Sequence, residues 1–93
     1  MKRFDWDREK NTKLKKERGV GFEDVKTAIE GGKLLETADH PNKKKYPNQK
    51  MFVVEIDRYI YLVPYVEDEV KVFLKTIFPS RKATKKYIRK EKA

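Results

Sequence analysis

The stretch from Lys50 to Phe78 limits the fold more than any other part of the chain. It holds three runs, KMFVVEI, YIYLVPYV and VKVFLKTIF, all rich in β-branched and aromatic residues. Asp57–Arg58 separates the first two, and Glu67, Asp68 and Glu69 separate the second and third. Connections this short allow only hairpins, because a parallel crossover needs a dozen or more residues. The sequence therefore predicts an antiparallel meander. Pro64 interrupts the middle run. Its nitrogen has no proton to give a ladder, so a β-bulge is expected there.

The residues before the meander read differently. Positions 2–6 suggest a short strand with Phe4 and Trp6 on one face. Asp7 is suited to cap a helix that runs to Gly19, a natural C′ residue. Leu14 is the only large apolar residue in that helix, so it is expected on the surface, pinned by Leu14, Val20 and Trp6. In GFEDVKTAIEGG, Phe22, Val25, Ala28 and Ile29 form one helical stripe, Glu23 and Asp24 favour the N-terminal dipole, and Gly31–Gly32 stop the helix. Residues 33–50 contain two prolines and three consecutive lysines and read as an irregular loop, with Leu34 and Leu35 able to start a strand. After Pro79, Ser80 is placed to cap a final helix whose apolar face, Ala83 and Tyr87 with Ile88, is thin. The order is strand, two helices, three strands, helix. At 93 residues this is one α+β domain, with a small antiparallel sheet packed on two N-terminal helices and a short C-terminal helix.

Composition narrows the chemistry. The chain has no cysteine, which excludes disulfides and thiolate metal sites, and one histidine cannot make a histidine-based metal site. No cofactor is expected. The opening MKRFDWD is charged and has no apolar core of a leader, and no apolar run approaches the ~20 residues that span a bilayer, so a soluble cytoplasmic protein without membrane contact is expected. Lys and Arg number 24 against 15 Asp and Glu, a net charge of +9 that favours polyanionic partners. Residues 81–93 hold Arg81, Lys82, Lys85, Lys86, Arg89, Lys90 and Lys92 against Glu91 alone.

Lys75, Arg81, Lys82, Lys85 and Lys86 gather around the junction of the last strand and the final helix. With Ser80 and the helix N-terminus they suggest an anion site, where arginine grips a phosphodiester with two bonds and lysines supply point charge. The alternative is a solvated basic tail. Tyr46, Tyr59, Tyr61, Tyr65 and Tyr87 are the aromatic candidates for stacking on bases, but at least two of Tyr59, Tyr61 and Tyr65 are read as core rings. His40, in DHPN, is either a turn residue or a general acid–base. Asp5 and Asp7 read as a strand-end residue and an N-cap, and no phosphate-cradling glycine loop is present. An enzyme with this inventory would act on RNA without metal, through attack of the 2′-hydroxyl on its own phosphate. Crowded ammonium groups lower one another's pKa, and arginine stabilises the developing charge.

FDWDREKNTKLKKERGVGFEDV resembles the opening of BrnT-type toxins, in which a Phe-x-Trp-Asp segment, a helix, a Gly-Val/Ile step and a Phe-Glu-Asp/Glu segment follow in order. KTIFPSRKATKKY resembles that family's last strand, its Ser/Arg element and the basic helix after it. The likeness covers residues 3–30 and 70–87. Arg18 stands where many relatives have histidine, HPNKKKYPNQK replaces an acidic-plus-arginine segment, and Pro79 replaces an apolar residue. The resemblance implies a RelE-like fold and a metal-independent ribonuclease toxin of a type II toxin–antitoxin pair. It also implies a cognate antitoxin, typically a ribbon-helix-helix DNA-binding protein, which covers the active face and through which alone operator DNA is reached. Lys75 matches a basic residue of the last strand, Ser80 and Arg81 match the Ser/Arg element, and Phe4, Trp6 and Asp7 match the structural opening.

The expected function is RNA cleavage. Lys75 and Arg81 would hold the reacting phosphate, and His40, Tyr46 or Tyr87 would move protons. Ser80, Lys82, Lys85, Lys86 and Tyr46 would bind the RNA. The runner-up is a non-catalytic module of the same shape that binds nucleic acid or the antitoxin. A plain scaffold with a solvated tail is the third reading.

Overall fold

A computed structural model describes residues 2–88. Its elements are β1 (Arg3–Trp6), α1 (Arg8–Arg18), α2 (Phe22–Glu30), β2 (Leu34–Asp39), β3 (Lys50–Ile56), β4 (Tyr59–Glu67), β5 (Lys71–Leu74), β6 (Phe78–Pro79) and α3 (Arg81–Tyr87). The class is α+β as expected. One sheet runs β1-β5-β4-β3-β2, with β6 continuing along β4 beyond β5. The meander is antiparallel, but β1 lies parallel to β5, with Arg3 opposite Lys71 and Trp6 opposite Leu74. The sheet is therefore mixed rather than antiparallel. The connection between this parallel pair is long: it runs through α1 and α2 to β2 at the far edge and returns by way of β3 and β4.

The β3–β4 hairpin closes in two residues, Ile56 facing Tyr59. Asp57 and Arg58 both take positive φ, 52° and 63°, the sense that matches the twist of the flanking strands. Pro64 needs no bulge in its own strand, because it faces Met51 in unbroken register. The irregularity is in the partner. β4 pairs with β5 as far as Tyr65–Leu74 and resumes with β6 at Leu62–Phe78, so Val63 and Pro64 face the three residues 75–77. The Pro64 carbonyl accepts from the Lys75 amide at 2.8 Å, and its missing proton faces the same, bulged side. The expected third run thus splits in two, and Lys75 is the first residue of the break.

Residues 34–39, expected to be mostly loop, form β2 and pair with β3 from Leu34–Val54 to Asp39–Lys50. Their side chains are largely exposed, so they carry little apolar signal. It is the free edge of β3 that orders them. The remaining loop, 40–49, joins β2 to β3.

One sheet face makes the main core. Phe52, Val54, Val63, Tyr65, Val72, Leu74 and Ile77 meet Leu14, Val20, Phe22 and Val25 from the helical segment. Trp6 stacks on Phe22 at 5.8 Å between ring centroids. The predicted pins of α1 are in place, since Leu14 and Val20 are both buried. A further clamp is polar. Asn11 is 7% exposed, accepts from the Phe22 amide at 2.7 Å and donates to Glu23 at 2.9 Å. α2 begins at Gly21, which has no side chain to cap with, and Asn11 fills that role from the neighbouring helix. A Cβ on Gly21 would meet the side-chain ends of Lys15, Asn11 and Glu23 within 2.8 Å, so a larger residue there would displace this polar cluster.

The second face carries Met51, Val53, Ile60 and Pro64, all buried. α3 begins beside β4. Ser80 Oγ accepts from the Ala83 amide, the Ser80 amide donates to the Ile60 carbonyl, and the Ile60 amide donates to Thr84 Oγ1 at 2.9 Å. Thr84, 4% exposed, stands in for the strand partner that β6 is too short to supply.

Candidate nucleic-acid interface

The cations of the strand–helix junction divide between two concavities instead of forming one. Lys75 lines a cleft of about 580 Å³ with Phe73 and with Asp7, Glu9, Lys10 and Lys13 of the α1 segment. Arg81 and Lys85 line a smaller concavity, about 350 Å³, with Tyr59 and Thr84. The Pro64-associated break explains the separation, because it re-aims the chain between Lys75 and the start of α3. Ser80 is occupied as the α3 cap, and Lys82 and Lys86 are exposed on that helix. Arg89, Lys90 and Lys92 lie outside the described residues.

The proton-transfer candidates are elsewhere. His40 sits in the β2–β3 loop, where its Nδ1 accepts from the Asn42 amide at 3.0 Å and its ring lies 4.6 Å from that of Tyr46. These are the bonds of a turn residue. Asp39 pairs with Lys50, and Lys50 with Tyr65, whereas Pro79 pairs with Tyr61. His40 and Tyr46 thus lie off the opposite end of β4 from Ser80 and Arg81; the marker positions Tyr61 and Tyr65 alone are about 13 Å apart along the strand at ~3.3 Å per residue. Tyr87 donates to Glu36 of β2 at 2.7 Å, and this bond to a carboxylate, with some burial, raises the phenol pKa. The sequence placed these groups in one site, and the fold spreads them over four.

Of the tyrosines, Tyr65 stacks on Phe52 at 3.8 Å and Tyr61 packs against the core, and burial raises the pKa of both. The core reading of these two holds. Tyr59 remains half-buried at the Arg81 concavity.

The sequence marks α1 only as a polar surface helix. The helix carries Arg8, Lys10, Lys13, Lys15, Lys16 and Arg18 against Glu9 and Glu17. Lys15 is bonded to Glu23 at 3.0 Å, while Lys10 and Lys13 turn to the cleft. The signal was present as charge but not as position, because nothing local in the sequence tells that β5 lies beside β1. Asp7 Oδ1 caps α1 by accepting from the Lys10 amide, which leaves Glu9 as the carboxylate in the cleft without a role in capping. Among the described residues no cluster of histidine and carboxylates could hold a metal ion, and no helix is long and apolar enough to cross a membrane.

Comparison with known proteins finds no matching family model, no matching curated protein and no matching solved structure.

Proposed function

We propose that this chain is a small RNA-cleaving toxin of RelE-like arrangement, working in the cytoplasm and held in check by an antitoxin of the ribbon-helix-helix kind. The observation that carries the reading is the cleft in which Lys10 and Lys13 of α1 meet Lys75 of the bulged segment. Three ammonium groups from two elements, on a chain of net charge +9, suit a phosphodiester backbone. The resemblance at both ends of the chain supports the same reading.

In this mechanism Lys75, Lys10 and Lys13 hold the reacting phosphate and its neighbour. The Glu9 carboxylate takes the proton of the 2′-hydroxyl as its oxygen bonds to phosphorus. The bond from phosphorus to the 5′-oxygen breaks, giving a 2′,3′-cyclic phosphate, and the leaving oxygen takes a proton from an ammonium group or water. The lysines stabilise the charge that builds on the phosphorane. Arg81 and Lys85, in the second concavity, grip the strand further along.

Inducible expression, with growth followed and RNA ends mapped, tests this. Growth arrest with new RNA ends is expected, relieved by Lys75→Ala and by Glu9→Gln in folded protein. Intact RNA after expression of the wild-type chain would refute cleavage. A second reading, a binding module without catalysis, is favoured by one observation: His40, Tyr46 and Tyr87 all stand away from the cleft. Salt-dependent RNA binding by purified protein that leaves the RNA whole would select it.

A further inference from the structure

The cleft contains one group that phosphate binding does not use. Phe73 is half-buried on the sheet face opposite the main core, and its ring lines the cleft between Lys75 and the α1 lysines. Lys71 and Lys75, two residues away on either side, share its face of the strand and hold their ammonium groups 6.0 Å and 5.5 Å from the ring centroid. Lys71 is also drawn toward Asp5, at 3.7 Å. Lys75 has no carboxylate partner among the described residues. Weakly held ammonium groups now occupy the π-face, and they are groups that phosphates would draw away. A half-buried ring bordered by ammonium groups, lining a cleft with three lysines, has the composition of a stacking site for a nucleobase.

We propose that Phe73 is the stacking platform of a single-stranded nucleic-acid subsite, with Lys75, Lys10 and Lys13 holding the phosphates on either side of the stacked base. Only an unpaired base can lay its face on the ring, so the subsite distinguishes single strands from duplexes. Every base has such a face, so it is tolerant of sequence. The assignment rests on the cleft as the RNA site proposed above, but not on cleavage there.

The test uses the full chain and a short, fluorescently labelled 2′-O-methyl oligonucleotide, which cannot undergo 2′-hydroxyl attack, as a single strand and annealed to its complement. Phe73→Leu keeps an apolar side chain and removes the π-face. It should weaken single-strand binding about 5- to 150-fold and leave duplex binding unchanged. Phe73→Trp should keep the affinity, and its indole emission should be quenched by the single strand, measured against the wild-type signal of Trp6. Lys75→Ala and Lys13→Ala should weaken both ligands and each reduce the salt slope by about one. Wild-type single-strand affinity in Phe73→Leu, or equal loss for strand and duplex, overturns the proposal. So does unquenched emission in Phe73→Trp, which decides the matter if the leucine variant does not fold. Absence of any binding removes the platform and the basic-cleft reading together. Stacking without RNA cleavage removes only the cleavage.

Discussion

Asn11→Ala should be among the most damaging single polar substitutions in this chain. The carboxamide oxygen is the acceptor of the Phe22 amide at 2.7 Å, and Phe22 is fully buried. Alanine leaves that amide with no partner and no access to water, a cost of about 1–3 kcal/mol. The second bond, from Nδ2 to Glu23, ends on a half-exposed carboxylate that water can serve, so its loss adds at most about 1 kcal/mol. A total of about 1–4 kcal/mol corresponds to a fall in Tm of roughly 4–32 °C for a domain of this size. Thermal unfolding followed by circular dichroism measures it. Asn11→Asp separates the two bonds. It keeps the acceptor for Phe22 but sets a second carboxylate against Glu23. In the wild type the Asn11 donor, a backbone bond and Lys15 hold the Glu23 pKa below its usual value. That stabilisation is present above the ordinary carboxylate range and is lost as pH falls through it. In Asn11→Asp the repulsion raises the carboxyl pKa values. The deficit relative to wild type should therefore shrink as pH falls through the carboxylate range. A Tm drop below about 3 °C for Asn11→Ala, or a deficit of Asn11→Asp that is constant with pH, would refute the clamp.

Two other sites give independent checks. Arg58 holds a left-handed φ of 63° without being glycine, so replacing Asp57–Arg58 by Asn–Gly should stabilise the hairpin by about 0.5–1 kcal/mol, seen as a higher urea midpoint at unchanged m-value. Thr84→Val removes the hydroxyl that accepts from the Ile60 amide and should cost about 1–3 kcal/mol, with loss of hydrogen-exchange protection at Ile60. Thr84→Ser should retain that protection.

Much of the scaffold is legible in the sequence because its signals are local. Asp7 and Gly19 mark the ends of α1, the Phe22 stripe marks α2, and Asp57–Arg58 and Asp68 mark the turns. What escapes is what depends on pairing. β2 is ordered by the edge of β3, with side chains that show no alternation of their own. The parallel placement of β1 beside β5 closes a connection that takes in two helices and three strands, which no local signal reports. Pro64 announces an irregularity, but it is relieved in the facing strand, and only the register of both partners shows where. The same holds for the candidate site. Charge density at residues 75–86 is visible in the sequence, but its division between two concavities is not. Lys10 and Lys13 enter through the β1–β5 pairing, which no spacing between positions 10 and 75 encodes.

That pairing also sets a schedule during translation. Arg3 emerges from the ribosome long before Lys71, its partner across the sheet. At ~5–20 residues per second the interval is about 3–14 s. Throughout it the first strand has no neighbour, and α1 has no floor of Phe73 and Lys75 beneath its lysines. The basic cleft is thus assembled in a single late event, when the meander is already out. A chain halted before β5 would have the cations but no place in which to use them.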